Sequence, residues 1–363
     1  MDSSRVIDNR TIMEARCVPM DDRHGREVLV VVAKMTWAVA RDGKVTVANP
    51  PARVRPGAES WPDPPSKQYP GDRYPSDFLD EKPGTDVLLV GTAHPPAGSE
   101  VTELDVGFRL VSGASLFEKT LRVYGPRVWH KGMLGVVPGP AARVPPTQLR
   151  WENTYGGSDE SIPDDPYTEA RNPIGSGHVR DRSTLVGQPV PPIEDPRAPL
   201  SSRKPVPAGF GPVASSWAPR AGRAGTYDAA WRHERAPLRP SDFDPRFNSV
   251  APDDQWCDKP LGGDEAVEVV GVSAEGPWRF RLPSYAPVFR ARVGSDEHAC
   301  PTHLDTFLID ADSRRVELVW RASVPMPRKS ELIRWVKIGA STPLSDNLIT
   351  DLFGKARNRS EAP

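Results

Sequence analysis

Proline accounts for 42 of the 363 residues, more than twice its usual share of about 5%. Its ring removes the backbone N–H that a helix or sheet ladder needs, so the enrichment argues strongly against a helical architecture. Such a chain is either disordered or built from ordered loops. Disordered segments are poor in aromatics, whereas Trp, Tyr and Phe run through the proline-rich region here. The loops are therefore expected to be ordered and pinned by buried rings.

Strand patterns flank that region. Glu27 to Val39 is dense in valine and carries Thr36 and Trp37, residues that suit a pleated surface. Asp42-Gly43 follows, the dipeptide favoured in two-residue hairpin turns, so Val28–Val39 and Val45–Val47 are expected to be hairpin arms. Glu103 to Val111 alternates, with Leu104, Val106, Phe108 and Leu110 on one side and Asp105, Gly107 and Arg109 on the other. That period means a strand with one face in water. Trp278 to Leu282 and Val316 to Val324 alternate too, the latter with Leu318 and Trp320 on its apolar side. Between them, Tyr124 to Leu261 holds over half of the prolines and little periodicity.

Strand zones at 27–123 and 262–326 around a loop zone at 124–261 are met most simply by one domain, 27–326, whose N- and C-terminal strands pair. The expected fold is mainly β: a β-sandwich-like antiparallel core with long proline-rich ordered loops and few short helices. Residues 1–26 are read as an extension. Residues 327–363 are read as a terminal segment, with a short helix from Pro343 to Phe353 and a frayed basic tail.

The 47 basic and 48 acidic residues leave a net charge of −1, which gives no global attraction to nucleic acid. The polar stretch Met1 to Asn9 is unlike a secretory signal, and Val28 to Ala33 is too short to span a bilayer. A cytoplasmic protein without a membrane partner is expected. Cys17, Cys257 and Cys300 are odd in number and widely spaced, unlike a disulfide framework.

Catalytic motifs are sparse. The chain has no Walker-type phosphate loop, no Gly-x-Ser-x-Gly elbow and no His-Glu-x-x-His. His298, Cys300 and His303 could supply zinc ligands, but no second cysteine stands at short spacing and a polar inter-strand loop is the blander reading. Asp164-Asp165, Glu194-Asp195 and Asp242 with Asp244 could serve glycoside hydrolysis, and more commonly such residues make turns and caps. No enzyme and no cofactor is expected. The aromatics say more: Arg127, Trp129, Trp151, Tyr155, Trp217, Arg220, Tyr227 and Trp231 interleave Trp, Tyr and Arg across the loop zone. Those residue types dominate interface hot spots, although about two-thirds of such rings are expected to anchor loops instead.

The loop motifs also come in a recognisable order. Arg73-Tyr74-Pro75-Ser76-Asp77-Phe78 and Lys82-Pro83-Gly84-Thr85-Asp86-Val87 precede Gly125-Pro126-Arg127-Val128-Trp129. Trp151-Glu152-Asn153-Thr154-Tyr155-Gly156-Gly157 and Asn172-Pro173-Ile174-Gly175 follow. Pro207-Ala208-Gly209-Phe210-Gly211-Pro212, Trp217-Ala218-Pro219-Arg220, Ala224-Gly225-Thr226-Tyr227-Asp228 and Leu261-Gly262-Gly263-Asp264-Glu265 complete the run. From about Val28 to Met326 the chain resembles the bacterial family DUF2169. The resemblance implies an accessory protein of type VI secretion, an adaptor or chaperone that loads an effector or a PAAR-type tip protein onto the spike. It carries over no catalytic residue. One departure is Pro126, where the resemblance leads one to expect aspartate before Arg127. Two rival readings are a carbohydrate-active or metal-dependent hydrolase on a β-sandwich, and a structural component of a phage-tail-like assembly. Arg127, Arg220 and Asp228 could equally be buried ion-pair partners that lock the loops.

Overall fold

The computed structural model describes residues 6–63, 71–113, 115–133, 135–326 and 333–340. At its centre lies a seven-stranded sheet. The valine-rich strand Glu27–Val39 runs antiparallel between Glu14–Asp21 and Arg315–Pro325. His303–Asp310 pairs antiparallel with Arg315–Pro325, Thr85–Val90 lies parallel to His303–Asp310, and Trp256–Cys257 forms the far edge. Val45–Val47 pairs with the end of Glu27–Val39.

One face of this sheet meets two smaller ones. The first has five strands in the order Ile193–Glu194, Ser115–Tyr124, Glu103–Ser112, Ala266–Val270 and Trp278–Arg281, all antiparallel. The second orders Ile7–Asn9, Ile333–Ala340, Pro287–Val293 and Asp296–Cys300. Alternation decides which residues enter the core. Leu29, Val31, Met35 and Trp37 of the valine-rich strand, with Leu318 and Trp320, face Val106, Phe108, Leu110, Trp278 and Phe280. Asp105 and Arg109 stay in solvent, as the alternation of Glu103 to Val111 predicts.

The other face of the central sheet is buried as well, which is why Val28 to Ala33 reads as a continuous apolar run instead of an alternating one. Val28, Val30, Val32 and Val319 pack there against Val54 and Phe78 of the preceding loop. Leu88, Val90 and Leu308 pack against Val250, Ala251 and Tyr74. The molecule thus has three layers: paired smaller sheets, a central sheet, and a layer of proline-rich loops.

Charges lie under the loop layer. Lys34 is completely buried and contacts Asp77 at 2.5 Å and Glu317 at 3.1 Å. Arg55 meets Glu317 through two donors at 2.5 and 2.7 Å and lies over the Tyr74 ring. Arg321 pairs with Asp305 at 2.7 Å and donates to the Asp77 carbonyl. Lys82 pairs with Asp86, whose carboxylate also accepts from the Val250 amide. Lys34 with Asp77, Arg55 with Glu317 and Lys82 with Asp86 dock loop onto sheet, whereas Lys34 with Glu317 and Arg321 with Asp305 join neighbouring strands of the sheet.

Four features differ from the sequence-based expectation. The supposed extension contributes Glu14–Asp21 to the central sheet and Ile7–Asn9 to the four-stranded one. Residues 333–340 form a strand between Pro287–Val293 and Ile7–Asn9, so pairing continues past residue 326. The Asp42-Gly43 hairpin has a three-residue loop, because Ala40 and Lys44 are hydrogen-bonded and Gly43 takes φ +82°, the conformation that closes a bulged turn. Asp296–Cys300 is a strand, not a loop. The expected helix from Pro343 to Phe353 lies outside the described residues. Among the described residues Ala229–Glu234 is the one α-helix, and no helix is long and apolar enough to cross a membrane.

Candidate functional site

Two clusters anchor the loop zone. In the first, Trp129, Tyr155, Leu185, Val190 and Leu200 pack together. Arg182 lies over the Trp129 ring, and the Tyr155 hydroxyl is 2.9 Å from Nδ1 of His178. Burial lowers the His178 imidazole below its ordinary pKa. Arg127 is buried beside them, paired with Glu194 at 3.3 Å and stacked on Tyr124. In the second cluster Trp151 meets Trp217 edge-on, ring centroids 5.8 Å apart, with Val213 alongside. The Trp151 indole N–H donates to the Gly211 and Pro212 carbonyls.

Trp151 also explains a glycine. A Cβ on Gly209 would stand 3.0 Å from three atoms of the Trp151 ring. Replacement of Gly209 by Ala is therefore expected to destabilise the fold by about 1–3 kcal/mol, the usual cost of overpacking. A urea titration with an unchanged midpoint would contradict this reading. The other glycines Gly156, Gly157, Gly225 and Gly263 take positive φ, and all belong to the quoted motifs.

Of the eight aromatic and arginine candidates, Arg127, Trp129, Trp151, Tyr155 and Trp217 are therefore loop anchors with little surface to offer. Arg220 is partly buried. Its Nε donates to the Phe247 carbonyl at 2.7 Å and its Nη1 to the Val213 carbonyl at 2.6 Å. The two that remain sit together in one excursion.

That excursion runs from Thr226 to Asp242. Its ends are clamped, since the Thr226 amide and hydroxyl both donate to the Asp242 carboxylate at 3.0 and 2.8 Å. Asp228 caps the helix Ala229–Glu234 by accepting from the Trp231 amide at 2.8 Å. So Asp228 is a cap and not an ion-pair partner. The helix buries none of its residues. Tyr227, 54% exposed, packs edge-on against Trp231 at 4.6 Å. The Trp231 indole N–H donates to the Leu238 carbonyl at 2.8 Å. At the base Arg239 makes two bonds to the buried Asp80 carboxylate, at 2.9 and 3.0 Å, and Asn248 donates to the same carboxylate. This is an Ω-type loop: ends close together, interior filled by its own side chains, outer face in solvent. The sequence offered a signal for it in the spacing Tyr227, Asp228 and Trp231, a cap and two rings one helical turn apart.

The other candidates are dispersed. His298 is exposed on the strand Asp296–Cys300, paired opposite Ala291, and Cys300 packs on the core. His303 starts the next strand. Among the described residues no group of three or more His, Cys, Asp or Glu is placed to share an ion. The acid pairs are engaged in turns, caps and one buried ion pair. Asp244 accepts from the Arg246 amide, Asp195 from Arg197, and Glu194 is occupied by Arg127.

A family model, DUF2169, described as an uncharacterized protein conserved in bacteria, matches residues 24–321. No curated protein and no solved structure matches the chain.

Proposed function

We propose a function from this premise: the chain belongs to the DUF2169 family of bacterial proteins. It is a protein-binding adaptor, without catalytic activity of its own, that holds a type VI secretion effector or PAAR-type tip protein in the cytoplasm for loading onto the spike. The observation that carries the binding role is the Thr226–Asp242 loop. A helix with no buried residue, held at both ends, presents the exposed Tyr227 against the half-buried Trp231. Aromatic rings lose little side-chain entropy on contact and dominate interface hot spots. Arg232, His233 and Glu234 surround them, a polar rim of the kind protein interfaces use.

Trp231 is half-buried and bonds the Leu238 carbonyl, but the helix buries none of its residues, so Tyr227→Ala with Trp231→Ala is expected to cost about 1–2 kcal/mol and leave the chain folded. Capture of partner should fall sharply in the same variant. The measurement is an affinity pull-down of the tagged chain from its native bacterium, followed by identification of co-purifying proteins. Recovery of a tip, spike or toxin protein by the wild type, and its loss from the folded double variant, supports the loading role. Equal recovery by both proteins, or recovery of nothing by either, overturns it and turns attention to hydrolase assays.

A further inference from the structure

Arg220 and Asp72 line a pocket of about 220 Å³ with Pro75, Leu79, Val213 and Val250. The fully buried arginines each meet a carboxylate: Arg55 meets Glu317, Arg127 meets Glu194, and Arg321 meets Asp305. Arg220 does not. Among the described residues it is held by two backbone carbonyls and the Phe247 ring, which fix the guanidinium while leaving Nη2 without a hydrogen bond. Burial pushes its pKa down. The Asp72 side chain likewise makes no hydrogen bond among the described residues. Burial raises its pKa and only the Arg220 charge opposes that rise. Its backbone is fixed by pairing with Ser60.

An unmatched donor and an unmatched acceptor therefore share one aliphatic pocket, too far apart to satisfy each other. Both groups are half-buried and so incompletely hydrated, and the site gains from a ligand that meets both. An anion would be attracted by Arg220 and repelled by Asp72, and an amine the reverse. A peptide group fits both, because it carries an acceptor and a donor on one neutral dipole.

We propose that this pocket binds one residue of an extended segment of the partner polypeptide. The segment's carbonyl accepts from Arg220, its amide N–H donates to Asp72, and a small aliphatic side chain lies against Leu79, Val213 and Val250. The assignment rests on the protein-binding role above and adds a second contact, read from main chain instead of from aromatic rings. Arg220 stands in the short turn Arg220–Ala224 that leads into the Thr226–Asp242 loop, so both contacts are reachable by one partner.

The test uses the full chain and end-capped, fluorescein-labelled pentapeptides with Val, Leu or Ile fixed at the centre, read by fluorescence polarisation. Asp72→Ala removes no described hydrogen bond and is the cleaner variant, and Arg220→Met is the second. Arg109→Ala, on the exposed face of the five-stranded sheet, is the control. At least one capped peptide is expected to bind, at least tenfold more weakly to Asp72→Ala and Arg220→Met, and unchanged to the control. Equal binding to wild type and Asp72→Ala overturns the proposal, as does absence of binding by every capped peptide. Competition by free leucine or inorganic phosphate alone overturns it too, because either makes this a small-molecule pocket. If Asp72→Ala still captures the partner in the pull-down while Trp231→Ala does not, the pocket assignment fails and the adaptor role stands.

Discussion

Replacing Glu317 by Gln is expected to lower the unfolding free energy by about 3–5 kcal/mol, the usual result of removing one member of a buried ion pair. Lys34 and Arg55 both lean on this carboxylate and both are buried. Without it their charges stay in a medium that solvates them poorly. Domains of ordinary stability hold about 5–15 kcal/mol in total, so the urea midpoint should drop conspicuously. The same pair gives a pH signature. Burial alone would raise the Glu317 pKa, but the hydrogen bonds and charge of Arg55 and the charge of Lys34 outweigh it and hold the carboxyl below its ordinary value. A lowered folded-state pKa adds stability that is present above the unfolded value and lost as pH falls through the folded one. The difference between wild type and Glu317→Gln should therefore shrink on acidification. A difference below about 1 kcal/mol at neutral pH, or one that does not narrow in acid, would sink the account.

Trp151→Ala should cost a comparable amount, about 3–5 kcal/mol for an indole removed from a packed interior. Three supports go with it: the edge contact to Trp217, the bonds to the Gly211 and Pro212 carbonyls, and the fit against Gly209. The loss should reach the loop layer first, so amide exchange ought to accelerate in residues 205–217 before the central sheet. This separates anchors from contacts. Trp151→Ala acts on stability, whereas Trp231→Ala acts on partner capture with folding intact. If Trp151→Ala instead leaves stability within about 0.5 kcal/mol and abolishes capture, the ring is an interface residue.

Two kinds of strand are legible in the sequence: the valine-rich run Glu27–Val39, and strands whose alternation reports a wet face and a dry face. Glu103 to Val111 and Trp278 to Leu282 are of the second kind, and both lie where their periods place them. Two others escaped. Glu14–Asp21 is an edge strand containing Pro19, whose residues are exposed or half-buried throughout, so no dry face marks it. Ile333–Ala340 meets its partner across a bulge at Arg292 and Val293, and its burial is correspondingly irregular. Polar residues on Arg315–Pro325 misled in another way. Glu317 and Arg321 look like a water-facing side and instead lie under the loop layer, because the ions that neutralise them come from distant positions such as Arg55. Nothing local in a sequence encodes a partner 262 residues away. For the site, the aromatic and arginine pattern marks the loop zone but does not separate its exposed members from its buried ones. Burial of Trp129 or Trp151 depends on where each loop lands, whereas the cap-and-ring spacing around Trp231 is local.

The order of the central sheet governs how the chain is made as well as how it stands. Glu27–Val39 is synthesised long before its neighbour Arg315–Pro325. Contacts of such wide separation form slowly, and until then Val28 to Ala33 is an uncharged, β-prone run with an open edge, the kind of segment that seeds aggregation. It is bracketed by Glu27 and Lys34, charges placed as gatekeepers are in nascent chains. Lys34 thus serves twice: in the unfinished chain it keeps the valine run apart from its copies, and in the finished one it disappears between Asp77 and Glu317.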